Sequence, residues 1–520
     1  MDSQPGNRPA SGVLVLVLAA QAIGLAFLAV TDTSFWIDEF GTARIADAES
    51  LARWWGQFIN WHDSDMQMPF YHLFMFVWSK AFGFSEFAMR MANWPFLVLA
   101  QAAFLWVFRR VPRFALLLIL VSGLHPMIWY YLNEARPYLM VFFGAAWTLC
   151  GLVSLYARVH GLDDIAAYSP WMLVVGAVVL AGSSMLGAPW AAAAVVVALY
   201  LHLCERASLV ERIRRVWFPY AVLVVSLAGL ALFYGYTLLR GARGTTAFAS
   251  DVHTLLFSGY ELLGLSGLGP GRLELRSQDM AALEGWVASI LCGAAILGAS
   301  IAAGLQAIRA RTSARDQIVM AASILAPAFF IAAAGFLMHW RVLGRHFMPA
   351  LPAILMLIAL GANVWLSRRR VWSFGLAAAL FVTIALSGIS MIHPRHGKDD
   401  YRSAAEATFR TLASGDLVWW AAYNVGARYY GVPLVGTERT EAECRSVEGV
   451  EGLVVYDASN LPAHCLGRLP DPDWIVLSWP DRFDTRGALA DWIEKSGFEK
   501  VAELPAFTIW RAPPPASTRG

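Results

Sequence analysis

Residues 171–204 read WMLVVGAVVLAGSSMLGAPWAAAAVVVALYLHLC, without one Asp, Glu, Lys or Arg. A helix crossing the hydrocarbon core needs about 20 apolar residues, so this stretch can supply two. It carries its own breaks, Gly182-Ser183-Ser184 and Gly187-Ala188-Pro189, and divides into 171–187 and 188–204. Outward from it lie further apolar runs at 12–31, 90–108, 114–133, 137–157, 216–239, 285–307, 317–338, 346–366 and 371–392. The expectation is an all-α polytopic membrane domain of eleven spans. Composition agrees: the 520 residues are 58% hydrophobic and 15% charged, against about 25% charged in soluble chains. A water-soluble globule and a disordered chain are excluded. With 40 basic against 38 acidic residues, no basic surplus points to nucleic acid.

The charges fall in clumps between the runs. Arg109, Arg110 and Arg113 follow the second run; Arg206, Arg212, Arg214 and Arg215 follow the sixth. Arg309, Arg311 and Arg315 follow the eighth, and Arg368, Arg369 and Arg370 the tenth. These are alternate connections, so the positive-inside rule puts all four clusters in the cytoplasm. The N-terminus is then inside, and the first run reads as an uncleaved anchor rather than a removed signal peptide. Pieces 32–89, 240–284 and everything after 392 fall outside. Residues 69–84, PFYHLFMFVWSKAFGF, are too short to cross and contain His72 and Lys80. Counting them as a span would also move Arg109–Arg113 outside. They read as a helix lying in the outer interface, as does the Trp54, Trp55, Phe58, Trp61 stripe.

After Ile392 the composition turns polar, and three of the four lysines (Lys398, Lys495, Lys500) lie there. A helix is expected at 401–413, strands at 416–420, 452–456 and 474–479, a helix at 486–496, and strands at 498–503 and 507–511. This is a small C-terminal α/β extracytoplasmic domain, 393–520, beside a membrane domain 1–392 that includes the 32–89 loop. Cys150, Cys204 and Cys292 belong to spans and read as packing residues. Cys444 and Cys465 are the two cysteines of the outer domain. They are either two free thiols or, in an oxidising compartment, a disulfide stabilising by roughly 3 kcal/mol.

Chemistry-bearing residues gather on the outer side. Asp38-Glu39 stands in FWIDEF (35–40). A carboxylate partly desolvated beside bulky apolar residues gains a raised pKa and can serve as a general base; otherwise the pair is a solvated acidic loop. His62, Asp63 and Asp65 offer a divalent metal three ligands, or hold a hydrogen-bonded structural histidine. Glu134 and Arg136, followed by Tyr138, either pair with each other or orient a ligand. Arg341, Arg345 and His346 sit where positive-inside counting disfavours arginine. They fit an anion such as a lipid phosphate, or snorkel to headgroups.

In this order the motifs resemble the GT-C superfamily of integral-membrane glycosyltransferases, family 39 in particular, which includes protein O-mannosyltransferases and relatives of the lipid A aminoarabinose transferase. Asp38-Glu39 matches its Asp-Glu after the first span, and Met68-Pro69-Phe70-Tyr71-His72 its PPLYY element. Ala81 through Arg90 is similar to its Gly-Phe-Ser-Glu element, which ends in arginine. Pro126 through Tyr138 is similar to the element ending Glu-Ala-Arg-x-Tyr. Gly344-Arg345-His346-Phe347-Met348-Pro349-Ala350-Leu351-Pro352 and Asp400-Tyr401-Arg402-Ser403-Ala404-Ala405 complete the series. Met68 stands where the pattern has its first proline, and His72 where it has its second aromatic residue.

The resemblance implies inverting transfer of a sugar from a polyprenyl-phosphate donor to a lipid, glycan or protein acceptor. The place implied is the outer face of a bacterial cytoplasmic membrane, among membrane lipids. Asp38 is then the base, supported by Glu39. The departing polyprenyl phosphate is already a stable anion and needs no general acid, unlike the leaving group in glycoside hydrolysis. Arg345 and Arg341, with Arg90 or Arg136 as alternatives, would hold the phosphate, and Glu134, Tyr138 and His346 would complete the substrate site. No cofactor is required by this scheme, and a divalent metal stays open. A lipid-linked sugar flippase is the competing class, but transporters place ionisable groups near mid-membrane. Here the spans are nearly free of charge. A noncatalytic scaffold would have no need of Asp38.

Overall fold

The computed structural model describes residues 9–61, 64–206, 208–240, 250–435 and 454–514. Every expected apolar run is helical, and their lengths sort them. Eight helices are long and apolar enough to cross a membrane: Glu86–Phe108, Tyr138–His160, Met185–Cys204, Arg214–Leu239, Val287–Arg309, Ala314–Leu337, Gly344–Ser367 and Val371–Ile392. A ninth candidate is the pair Pro112–Leu124 and Pro126–Leu132, bent by 55°. Two more apolar helices, Gly12–Leu28 and Pro170–Ser183, are shorter. Among the described residues, the eight helices, the bent pair and the two shorter apolar helices correspond one for one to the eleven expected runs.

The breaks have local causes. Pro126 disfavours helical backbone at the residue before it, and His125 is extended at φ −67°, ψ 130°. Its imidazole Nδ1 then accepts from Met127 N at 3.3 Å, capping the second half of the bend. Ser184, also extended, ends Pro170–Ser183. The helix Pro69–Phe82, 14 residues long, is not a span candidate. Leu51–Ile59 buries Trp54, Phe58 and Ile59 on one face, as its aromatic stripe implies.

Burial orders the spans. In Tyr138–His160, 78% of the apolar window is buried, whereas in Arg214–Leu239 and Ala314–Leu337 the share is 17%. The first is therefore central and the other two peripheral. The central helix packs closely on Pro170–Ser183 through facing glycines. A Cβ on Gly144 would lie 2.6 Å from Leu180 N, and one on Gly176 would collide with Thr148 N. Small residues at such crossings let backbones approach, the main source of helix attraction where lipid is as apolar as leucine.

The chain divides into two compact units: residues 1–31 with 45–396, and residues 32–44 with 397–520. The boundary drawn from composition lay at 392 and left all of 32–89 with the membrane domain. The difference comes from two phenylalanines of FWIDEF. Phe35 and Phe40, both fully buried, pack on the C-terminal aromatics Tyr401, Tyr423, Tyr429 and Tyr430 at centroid distances of 5.0–6.3 Å.

The second unit is built on six strands: β1 (Val418–Ala421), β2 (Leu434–Val435), β3 (Val455–Asp457), β4 (Trp474–Ser478), β5 (Glu499–Leu504) and β6 (Phe507–Arg511). Their order is β2-β3-β1-β4-β6-β5. The first four in that order run parallel, while β6 is antiparallel to both β4 and β5. Alternation sends Trp419, Ile475 and Leu477 into one core with Leu489 and Ile493. Trp420 faces the other way, toward Tyr401 and Phe507. The expected helices and strands are all present, with β2 added. Cys465 is disulfide-bonded, and Cys444, its expected partner, lies outside the described residues. Cys150 is buried, whereas Cys204 and Cys292 are exposed on their helices rather than packed.

The glycine contact yields a stability prediction. Gly176→Val should destabilise the membrane unit by about 1–3 kcal/mol, the range for overpacking. Thermal unfolding of the detergent-solubilised chain would show it, and an unchanged midpoint would refute the close crossing.

Candidate functional site

Asp38 and Glu39 occupy the first turn of the helix Ile37–Ala46, where carboxylates are favoured by the N-terminal dipole. Glu39 is fully buried. Its backbone N–H donates to Trp36 O at 2.9 Å, and its carboxylate accepts from Trp36 N at 3.3 Å. Asp38 is half-buried. The two carboxylates therefore differ: one is enclosed and bound to backbone, the other reaches solvent.

In the first unit, Asp65 is buried and makes an ion pair with Arg136. His72 Nε2 lies 3.3 Å from the same Asp65 oxygen. Burial alone would raise the pKa of Asp65, but the Arg136 charge and the bond to His72 hold it well below the usual carboxylate range. Asp65 reaches Arg136 from the loop preceding Pro69–Phe82, so Arg136 has an acidic partner outside its own segment. One carboxylate oxygen of Asp65 is shared by Arg136 and His72. His62 and Asp63 lie outside the described residues, and among the described residues no group of three His, Cys, Asp or Glu could hold a metal ion. The departure of His72 from the family pattern acquires a reason, because it is the second partner of Asp65.

Arg90 is fully buried and donates to Thr31 O at 3.2 Å. Nearby, Asn93 donates to Tyr131 O at 3.2 Å and to Glu134 O, and accepts from the Tyr71 hydroxyl at 3.4 Å. Glu134 is buried completely, and its carbonyl also accepts from Arg136 N at 2.6 Å. Three sequence elements are thus knitted together by Asn93, with Arg90 and Arg136 serving as enclosed cations of that scaffold.

A second set of cations is different. The guanidinium of Arg345 lies 5.6 Å from the Tyr138 ring centre. Arg341 has its pKa lowered by burial and then by the charges of Arg276, Arg345 and Arg272, so four guanidinium groups crowd one region. His346 stands apart from this chemistry. Its Nδ1 accepts from Leu343 N at 3.1 Å and its ring packs on Trp340, which makes it a cap.

Arg272 pairs with buried Glu261 and donates to the Tyr131 hydroxyl at 3.1 Å. It also lies 3.9 Å over the Tyr130 ring. Glu261 raises the Arg272 pKa against the opposing effect of burial. Gly344 is required here, because a Cβ would collide with the Glu261 carboxylate. A cavity opens among Met127, Tyr130, Tyr131, Tyr260, Glu261, Arg272 and His396. Burial, with the charge of Arg395, pushes the His396 pKa down to about 3, leaving a neutral ring. Sequence reasoning missed Glu261, Arg272 and Arg276. A signal existed: arginine in the 240–284 connection breaks the positive-inside pattern as Arg341 and Arg345 do.

No protein-family model and no curated protein matches the chain. Solved structures do. The apo crystal structure of ArnT from Cupriavidus metallidurans is 14% identical with a TM-score of 0.52, covering 96% of this chain and 98% of that one. The same protein bound to undecaprenyl phosphate gives 15% identity and a TM-score of 0.48, over 95% and 97% of the two chains. The mycobacterial arabinofuranosyltransferase AftD gives 14% and 0.43, over 98% of this chain and 42% of that one. The first likeness runs through nearly all of both chains, so it concerns the architecture as a whole. The chain therefore shares the fold of the ArnT structure from one end to the other.

Proposed function

We propose that this chain is an inverting glycosyltransferase moving a sugar from a polyprenyl-phosphate donor to an acceptor at the outer face of the cytoplasmic membrane. The observation that carries the reading is the gathering of Arg272, Arg276, Arg341 and Arg345 in one region of the first unit, where desolvation first and then the neighbouring charges lower the pKa of Arg341. An anionic phosphate suits such a gathering of guanidinium groups, which can meet it with charge-assisted hydrogen bonds.

In the proposed reaction an acceptor hydroxyl or amine attacks the anomeric carbon as its bond to the phosphate oxygen breaks. The acceptor proton passes to Asp38, and polyprenyl phosphate departs as an anion. The arginines stabilise charge that grows on the phosphate during the step, an effect strongest where water is sparse. Arginine suits this task because it stays charged at any working pH. Glu39, buried against Trp36 N, holds the turn that presents Asp38. The acceptor class (lipid, glycan or protein) and the sugar are left to experiment, as is a divalent metal.

Three outcomes test this reading. Asp38→Asn should insert and fold normally yet lose transfer by at least about a hundredfold, the usual scale for a general base. Mass spectrometry of glycolipids and glycoproteins from cells carrying each version would report it, and wild-type product levels would refute the base. Arg345→Ala should weaken binding of undecaprenyl phosphate, the polyprenyl phosphate with which ArnT has been crystallised. A loss of roughly tenfold corresponds to one charge-assisted bond, and unchanged affinity would count against the phosphate site. Finally, a cysteine introduced at Gly415 should react with an impermeant reagent on intact cells, and one at Arg369 only after permeabilisation. The reverse pattern would place the reaction on the wrong side of the membrane.

A further inference from the structure

The segment leading into Asp38 has almost no regular structure of its own. Residues 30–36 are irregular before the helix Ile37–Ala46 begins, so their backbone groups need partners from elsewhere. Two residues far along the chain supply them. Phe35 N donates to the Tyr430 hydroxyl at 3.1 Å, and that hydroxyl lies 3.2 Å from Ser34 Oγ. Arg402 donates its backbone N–H to Ser34 Oγ at 3.1 Å and its guanidinium to Asp32 O at 2.6 Å.

Both residues sit on rigid elements of the second unit. Arg402 lies in the first turn of the helix Tyr401–Ala413. Tyr430 is the C-cap of the short helix Asn424–Tyr429 that follows β1. Ser34 and Phe35 are buried beneath them. The last extended residues before the carboxylates are therefore fixed in place from the C-terminal domain, three to six residues ahead of Asp38. Rotation about those few bonds would swing Asp38 away from any fixed direction, and the Tyr430 hydroxyl and Arg402 remove that freedom.

We propose that Tyr430 and Arg402 are positioning residues for the Asp38–Glu39 pair, so that the C-terminal domain serves the reaction by aiming its carboxylates. The inference rests on the reading of Asp38 as base. It assigns neither Tyr430 nor Arg402 a contact with the reacting atoms. A small misplacement of a catalytic group costs up to a hundredfold in rate, which sets the scale expected when the aim is lost.

Tyr430→Phe is the main test, because it keeps the ring against Phe40 and Tyr429 and removes only the hydroxyl. In cells lacking their own copy, product yield should fall on the order of ten- to a hundredfold at an equal level of full-length protein. The purified chain should still bind undecaprenyl phosphate with wild-type affinity, and amide exchange over 33–36 should quicken. Arg402→Gln should give a fall of the same kind. The double variant Asp38→Asn/Tyr430→Phe should transfer no less than Asp38→Asn alone, since an absent base cannot be misaimed. Wild-type yield from Tyr430→Phe, beside an inactive Asp38→Asn, would overturn the positioning role and leave the base assignment standing. A parallel loss of undecaprenyl phosphate affinity would also overturn it, by marking general damage. Wild-type yield from Asp38→Asn would instead remove the base assignment, and this inference with it.

Discussion

A guanidinium that leaves water must have its donors met and its charge balanced, and the membrane unit is organised around that requirement. Burying a lone ion costs several kcal/mol even after relaxation, so each enclosed arginine defines what must lie beside it. Arg136 requires Asp65, Arg272 requires Glu261, and Arg90 takes the carbonyl of Thr31. The Arg136 and Arg90 contacts join segments distant in sequence, and the Arg272 contact folds the 240–284 connection onto itself; together they fix where the connections between spans can run. The other ends of the spans obey the same rule with the signs exchanged. There Glu205 is the enclosed charge, held by Arg158 at 2.8 Å, Arg215 at 3.1 Å and His202 at 3.3 Å. Asp316 is likewise held by Ser313 at 2.8 Å and Tyr200 at 3.1 Å.

What could be read from the sequence follows from what kind of constraint each feature obeys. Hydrophobic length is a local property, so every apolar run became a helix within a few residues of its expected ends. Strand patterning in the C-terminal domain is also local, and 474–479 or 507–511 needed only alternation and β-branched or aromatic content. Helix breaks were harder. Pro126 announced the bend at His125, yet an apolar run of normal length concealed that it is two helices. Strand β2, with two residues, is too short to carry any period.

Long-range partners were illegible for a physical reason. That Arg136 pairs with Asp65 depends on where the loop before Pro69 travels, and no spacing encodes that path. Likewise FWIDEF looked like the start of a membrane-side loop, because its neighbours are a span and an amphipathic helix. Its allegiance to the C-terminal unit is decided by Tyr401, Tyr423, Tyr429 and Tyr430, almost four hundred residues away. Arg272 and Arg276 belong to no recognisable motif, although the charge rule that singles out Arg341 and Arg345 applies to them equally.

The chemistry of the neighbourhood then narrows which group can exchange a proton. Histidine is the usual candidate near neutral pH, but the histidines of the first unit's site are committed elsewhere. His346 accepts a backbone bond as a cap, His72 is bonded to Asp65, and His396 is held neutral by burial beside Arg395. The arginines cannot give up their protons under working conditions. Asp65 is kept ionised by Arg136 and His72 against the pull of burial, so it too is occupied. A leaving group that departs as a stable anion asks nothing of an acid, so the proposed transfer needs none of these imidazoles. In that proposal the acceptor proton goes to the half-buried Asp38, whose segment is held within the second unit by Tyr430 and Arg402.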